Sequence, residues 1–150
     1  MTTLYSGFKR RDFDRWVFDM DDKLEAFRKS LVGVDAGRLD FTPASLLVIE
    51  SWLFGNAYFM EPNGLTKPHR YVTVDGLCRY IGEVFRRALG GHWDMALDSA
   101  EGKHAGPFIG GFDGAAARIA PLEILTETHG ERREGLLLEL LEQRKTAASR

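Results

Sequence analysis

Four side chains carry most of the chemical capacity in this chain: Glu50, Glu83, His69 and His92. Two carboxylates and two imidazoles that converged on one cleft could serve a small hydrolase or a metal-assisted enzyme, with Glu83 and His92 as an acid–base pair at the mouth of a helix-to-strand turn. Glu50 is the one ionisable residue inside the apolar run Leu46 to Leu53. It is expected on the solvent face of a helix, the alternative being a buried acid with a raised pKa. Convergence is all that sequence leaves open, because the spacing supplies no local site. Histidines 69, 92, 104 and 129 include no pair at i, i+3 or i+4 that would put two imidazoles on one helix face, so no metal is implied. The single cysteine, Cys78, excludes an intrachain disulfide and reads as a small packing residue. No Gly-x-Ser-x-Gly elbow occurs. The glycine pairs at 90–91 and 110–111 lack the strand–turn–helix setting of a phosphate loop, so no cofactor is implied either.

The elements that must position these groups are marked by periodicity. From Leu77, the residues Tyr80, Ile81, Val84, Phe85, Ala88 and Leu89 keep the spacing of one helix face, with Asp75 suited to cap the start and Gly90 to end it. Arg79, Glu83, Arg86 and Arg87 then fall on the opposite, charged face as helix-surface pairs. Gly82 stands out on this helix. A glycine there costs about 1 kcal/mol against alanine, which implies that another element, most simply a helix, closely approaches the backbone.

Upstream, Phe13, Trp16, Val17, Met20, Leu24, Phe27 and Leu31 predict one helix from Arg10 to Leu31, stopped by Gly33, after a loose arm over residues 1–9. Leu39-Asp-Phe41 reads as a short extended piece. Thr42 and Pro43 then open a second helix as N-cap and first helical residue, ending at Gly55-Asn56. Downstream, His92 to Leu97 alternates as a half-buried strand, and Pro107 to Phe112 and Ala115 to Ala120 can complete a small antiparallel meander. Pro121 opens a short helix to about Thr128, broken by Gly130. A final leucine-rich helix follows from Glu131, and residues 146–150 form a loose tail. The expected fold is therefore a single α+β domain over residues 1–150, with four to five helices packed on a small antiparallel sheet of about three strands.

Between the second helix and the central one, residues 56–72 show no sustained period and contain two prolines and an Asn-Gly pair. Loops of this length without secondary structure are uncommon in compact domains and often functional. Tyr58, Phe59, Met60, His69, Arg70 and Tyr71 give the segment the aromatic, Met and Arg content of contact surfaces. Together with Arg79, Glu83, Arg86 and Arg87 they form the candidate binding surface.

The segment Tyr80-x-Gly82-Glu83-x-x-Arg86-Arg87-x-x-Gly90-Gly91-x-Trp93, with Leu39-Asp-Phe-Thr-Pro-Ala-Ser-Leu46 upstream, resembles a pattern in small uncharacterised bacterial proteins, some of them immunity-protein-like. The resemblance spans roughly residues 39 to 97. It implies the fold, and a protein-binding role without assigned catalytic residues. Composition adds exclusions: 44% hydrophobic and 28% charged residues describe a globular chain, and a net charge of −2 with interleaved signs offers no basic face for nucleic acid. The first residues lack the pattern of a signal peptide and no apolar run reaches the ~20 residues of a membrane span, so a cytoplasmic location is expected. A protein partner is the leading expectation, and the apolar stripes of the first and last helices are compatible with a homodimer.

Overall fold

A computed structural model describes residues 4–56, 70–98, 106–112 and 118–148. Six helices and a two-stranded antiparallel sheet make up the regular structure of these residues, an α+β arrangement dominated by helix. The helices are α1 (Arg10–Phe18), α2 (Met20–Ser30), α3 (Ser45–Gly55), α4 (Tyr71–Leu89), α5 (Pro121–Glu131) and α6 (Leu136–Ala148). A 3-10 turn, Ala36–Arg38, lies between α2 and α3, and the strands are β1 (His92–Asp94) and β2 (Phe108–Gly110).

Helix α4 is the hub. It packs on α2, α3, α5, α6 and β2, and Leu77, Tyr80, Ile81, Val84 and Phe85 are all fully buried. Removing side chains of this size from water contributes about 1.5–3 kcal/mol each, an upper estimate because the unfolded chain already hides part of that surface. Close approach to α4 depends on two glycines. A Cβ on Gly76 would lie 2.3 Å from the ring of Phe27 in α2, and one on Gly82 would lie 2.0 Å from Cη2 of Trp93 and 3.0 Å from Cγ of Pro121. The expected close neighbour of Gly82 is thus an indole from β1 together with the first residue of α5. The helix ends as expected at Gly90, which has φ +85° and donates its amide to the Arg86 carbonyl at 2.7 Å.

The N-terminal helix is broken in two at Asp19, whose carboxylate accepts from Arg15 Nε at 3.0 Å. This break raises the helix count to six. Phe13, Trp16, Met20, Leu24, Phe27 and Leu31 are buried as the periodicity requires, whereas Val17 is exposed and Phe18 is 80% exposed. The segment before α1 is not a free arm in its described part: Tyr5 is 1% exposed and joins the core.

Helix α3 starts two residues later than the Thr42–Pro43 signal suggests. The Thr42 hydroxyl donates to Asp40 Oδ1 at 2.6 Å and its carbonyl accepts from the Ser45 hydroxyl at 2.6 Å, so Thr42 closes a turn ahead of the helix. Leu39–Phe41 is not a strand; Phe41 takes φ +65°, a left-handed conformation uncommon for a non-glycine residue. It is held there by its amide, which donates to the Tyr80 hydroxyl at 3.0 Å, and the Tyr80 hydroxyl in turn donates to Ser45 at 2.7 Å.

The sheet pairs His92 with Gly110, Trp93 with Ile109 and Asp94 with Phe108. Of the third expected strand, residues 115–117 lie outside the described residues; in its described part a single antiparallel bridge joins Ile109 to Ile119, with both amides donating across it. Gly130 does not break α5. The helix runs through it and stops where Arg132 adopts φ +50° and returns its amide to the Thr128 carbonyl. Helix α6 accordingly begins at Leu136 rather than Glu131, and the stretch expected to fray is still helical to Ala148. No helix among the described residues is long and apolar enough to cross a membrane.

Gly82→Leu is expected to lower stability by about 1–3 kcal/mol through overpacking against Trp93 and Pro121, read as a drop in melting temperature with an altered tryptophan fluorescence spectrum; an unchanged melt would mean that the indole is not seated on this glycine.

Candidate functional site

Most of the polar candidates prove to be structural. Arg79 is 2% exposed and Glu83 4% exposed, so the charged face expected on the central helix is folded inward at both positions. Helix α4 begins at Tyr71, one turn before Asp75. Asp75 is therefore not a cap but an internal acceptor. Its Oδ1 takes hydrogen bonds from Tyr5 Oη and Trp16 Nε1, both at 2.8 Å, and its Oδ2 takes one from Arg79 Nε at 2.7 Å. Arg79 also donates from Nη1 to the Trp16 carbonyl at 2.7 Å and lies over the Trp16 ring at 4.1 Å. A buried charge is tolerated when paired and hydrogen-bonded in this way.

One turn on, Glu83 is the second internal anchor. Arg86 donates to both of its oxygens, each at 2.9 Å, Trp93 Nε1 donates to Oε1 at 2.8 Å, and Arg87 Nε lies 3.5 Å from Oε2. Burial pushes the Glu83 carboxyl up. The hydrogen bonds from Arg86 and Trp93 and the two guanidinium charges outweigh it, and the net pKa lies below the ordinary glutamate value. Its hydrogen bonds hold the Arg86 guanidinium above its own ordinary value. Glu83 is thus a fixed anion, unsuited to carry a proton near neutral pH. Arg87, half exposed, spreads over the Phe41 ring at 4.0 Å, with Tyr80 stacked on Phe41 at 4.9 Å.

Glu50 is 2% exposed, which corrects its expected place on the solvent face. Its carboxylate meets the N-terminus of α6: Oε1 accepts from the Gly135 amide at 2.5 Å and Oε2 from the Leu137 amide at 3.2 Å. Those amides have no carbonyl partner inside the helix, and a carboxylate there is also favoured by the helix dipole. Glu50 is therefore a helix cap supplied from α3, 85 residues away in sequence from Gly135.

The four residues proposed for catalysis are not assembled by these contacts. Glu50 serves α6, Glu83 serves Trp93 and two arginines, and His92 is exposed on β1 with Nδ1 beside Gly111. His69 lies outside the described residues, as do Tyr58, Phe59 and Met60. Of the remaining surface candidates, Arg70 and Tyr71 are half-buried at the start of α4, and Arg86 and Arg87 are partly exposed near its end. No group of three or more His, Cys, Asp or Glu that could hold a metal ion occurs among the described residues. Cys78 is buried beside Tyr5 and Asp75, and burial together with the Asp75 charge pushes its thiol pKa far up, which suits packing and not nucleophilic attack.

Sequence reasoning missed Tyr5, Trp16 and Asp75 as a polar cluster. The Asp75–Arg79 spacing of four was the only legible signal, since the other partners come from 59 and 70 residues away. It also missed Val72, which is 80% exposed in the first turn of α4, directly after the 57–69 segment. Comparison with protein-family models, with curated proteins and with solved structures gives no match for the chain.

Two outcomes test the structural reading. Glu83 has a depressed folded-state pKa, so its contribution to stability is present above the ordinary carboxylate value of about 4.3 and is lost as pH falls from there through the folded value. Glu83→Gln should therefore be less stable than wild type at pH 7, by about 1.5–3 kcal/mol. The gap should narrow below about pH 4.3 in urea titrations across pH. Glu50→Ala should cost about 0.5–2 kcal/mol by uncapping α6, with amide exchange accelerating at Gly135 and Leu137.

Proposed function

We propose that this chain is a non-enzymatic, cytoplasmic protein-binding domain, of the immunity-like kind that its helix-to-strand motif resembles, and that its contact surface lies where the 57–69 segment enters α4. The observation that carries this reading is Val72. A large apolar side chain stands 80% exposed on a helix whose residues Val74, Leu77, Ile81 and Val84 are fully buried. Arg70 and Tyr71 stand beside it in sequence, and Tyr58, Phe59, Met60 and His69 precede it. Aromatics, Met and Arg are the types enriched in interfaces. The buried carboxylates argue in the same direction, because Glu50 and Glu83 are occupied in holding α6 and Trp93 in place.

Relative to the sequence-based surface, the proposal drops Arg79 and Glu83, whose charges are satisfied internally, and keeps Arg70, Tyr71, Arg86 and Arg87. The test is binding of the purified chain to the products of neighbouring genes. Wild type should form a stable complex with one of them, and Val72→Asp should weaken it at least tenfold. Because the site is exposed, that variant should melt within about 2 °C of wild type. Sedimentation at two concentrations separates this outcome from self-association: recovery of monomer or homo-oligomer alone, under conditions where every neighbour is tested, refutes the proposal.

A further inference from the structure

The irregular segment that precedes α1 carries a device that the partner-binding reading does not use. Tyr5 is almost wholly buried although it lies outside any helix or strand. Its ring meets Phe8 and Trp16 edge-on, at 5.5 and 6.3 Å. It also presses against Gly106, where a Cβ would lie 2.4 Å from Cδ2. Its hydroxyl donates to Asp75 at 2.8 Å, one helical turn from the buried Cys78 on α4. Two residues later Gly7 is exposed at φ +84°, with nothing within 4 Å of where a Cβ would stand.

Hydrogen bonding makes this contact separable from the rest. If Tyr5 leaves, Asp75 Oδ1 keeps Trp16 Nε1, Asp75 Oδ2 keeps Arg79 Nε, and Arg79 Nη1 keeps the Trp16 carbonyl. No buried charge loses its last partner, so the penalty that normally makes a buried polar contact all-or-none does not arise. Helix α1 remains tied to α4 by the two bonds that involve Trp16. We propose that residues 4–6 form a detachable latch over α4, pivoting at Gly7, and that its release admits solvent to Cys78 and Asp75 while the helices stay folded. Cys78 reports on this opening because it is buried on α4 three residues after Asp75, the residue that holds the Tyr5 hydroxyl.

The test is the rate at which a small water-soluble thiol reagent modifies Cys78 in the full chain, followed across a urea series below the unfolding transition. A latch opens with little new surface, so the wild-type rate should be nearly independent of urea at low concentration and should rise only where global unfolding takes over. Tyr5→Phe, which removes the hydroxyl and keeps the ring, should accelerate modification about tenfold at zero urea, with circular dichroism unchanged. Tyr5→Ala should accelerate it further. A wild-type rate that climbs from zero urea with the slope of global unfolding overturns the proposal, and wild type alone decides the matter if the variants fail to fold. An unaltered rate in a folded Tyr5→Phe also overturns it.

Discussion

Trp93 can reach Glu83 only because residue 82 has no side chain. The indole lies across the α4 backbone at Gly82, its N–H meets the carboxylate of the next residue, and its edge rests on Trp16 with ring centres 4.9 Å apart. This one placement joins β1 to α4 and to α1, and Pro121 brings the start of α5 to the same glycine. A side chain at 82 would push apart three elements that otherwise share a single contact. The motif Gly82-Glu83-x-x-Arg86-Arg87-x-x-Gly90-Gly91-x-Trp93 is then understandable as one joint: a gap, an anchor, a pair of cations that keep the anchor charged, a helix stop and the ring that fills the gap.

Buried charges perform the long-range fastening. Asp75 and Arg79 secure α1, Glu83 secures the sheet, and Glu50 secures α6. Apolar packing is non-directional, so the core residues of α4 would tolerate neighbouring helices at more than one rotation. A carboxylate that needs particular N–H donors does not, because a misdocked arrangement would leave it desolvated and unpaired. The charges on α3 and α4 can be understood as fixing which arrangement of an adaptable core is adopted. The same commitment explains why they are poor candidates for catalysis.

The apolar core was largely legible from residue spacing, and the candidate site was not. Periodicity placed Leu77, Tyr80, Ile81, Val84 and Phe85 inside, and turn chemistry placed the end of α4 at Gly90 and of α3 at Gly55. It missed where the charged faces point. Arg79 and Glu83 have the composition of a solvated helix surface, and nothing local distinguishes them from Arg87, which does reach solvent; the apolar run around Glu50 marked that residue without naming its donors. Local signals also failed at Thr42, where a bond to Asp40 closes a turn ahead of α3, at Gly130, where the helix runs on to a left-handed Arg132, and at Asp19, where the first helix divides.

What the sequence by itself determined is what short-range physics determines: which stretches are helical, which faces are apolar, where glycine must turn the chain, and that residue 82 must be closely approached. Tertiary structure alone decided who does the approaching and whom the charges serve. Tyr5 and Asp75 are 70 residues apart, Trp16 and Asp75 59, and Glu50 and Gly135 85. A carboxylate has no periodicity that names its donor. Its partner is set by which backbone amides and indole N–H groups the packed helices bring within 3 Å, and that is known only once the core has formed.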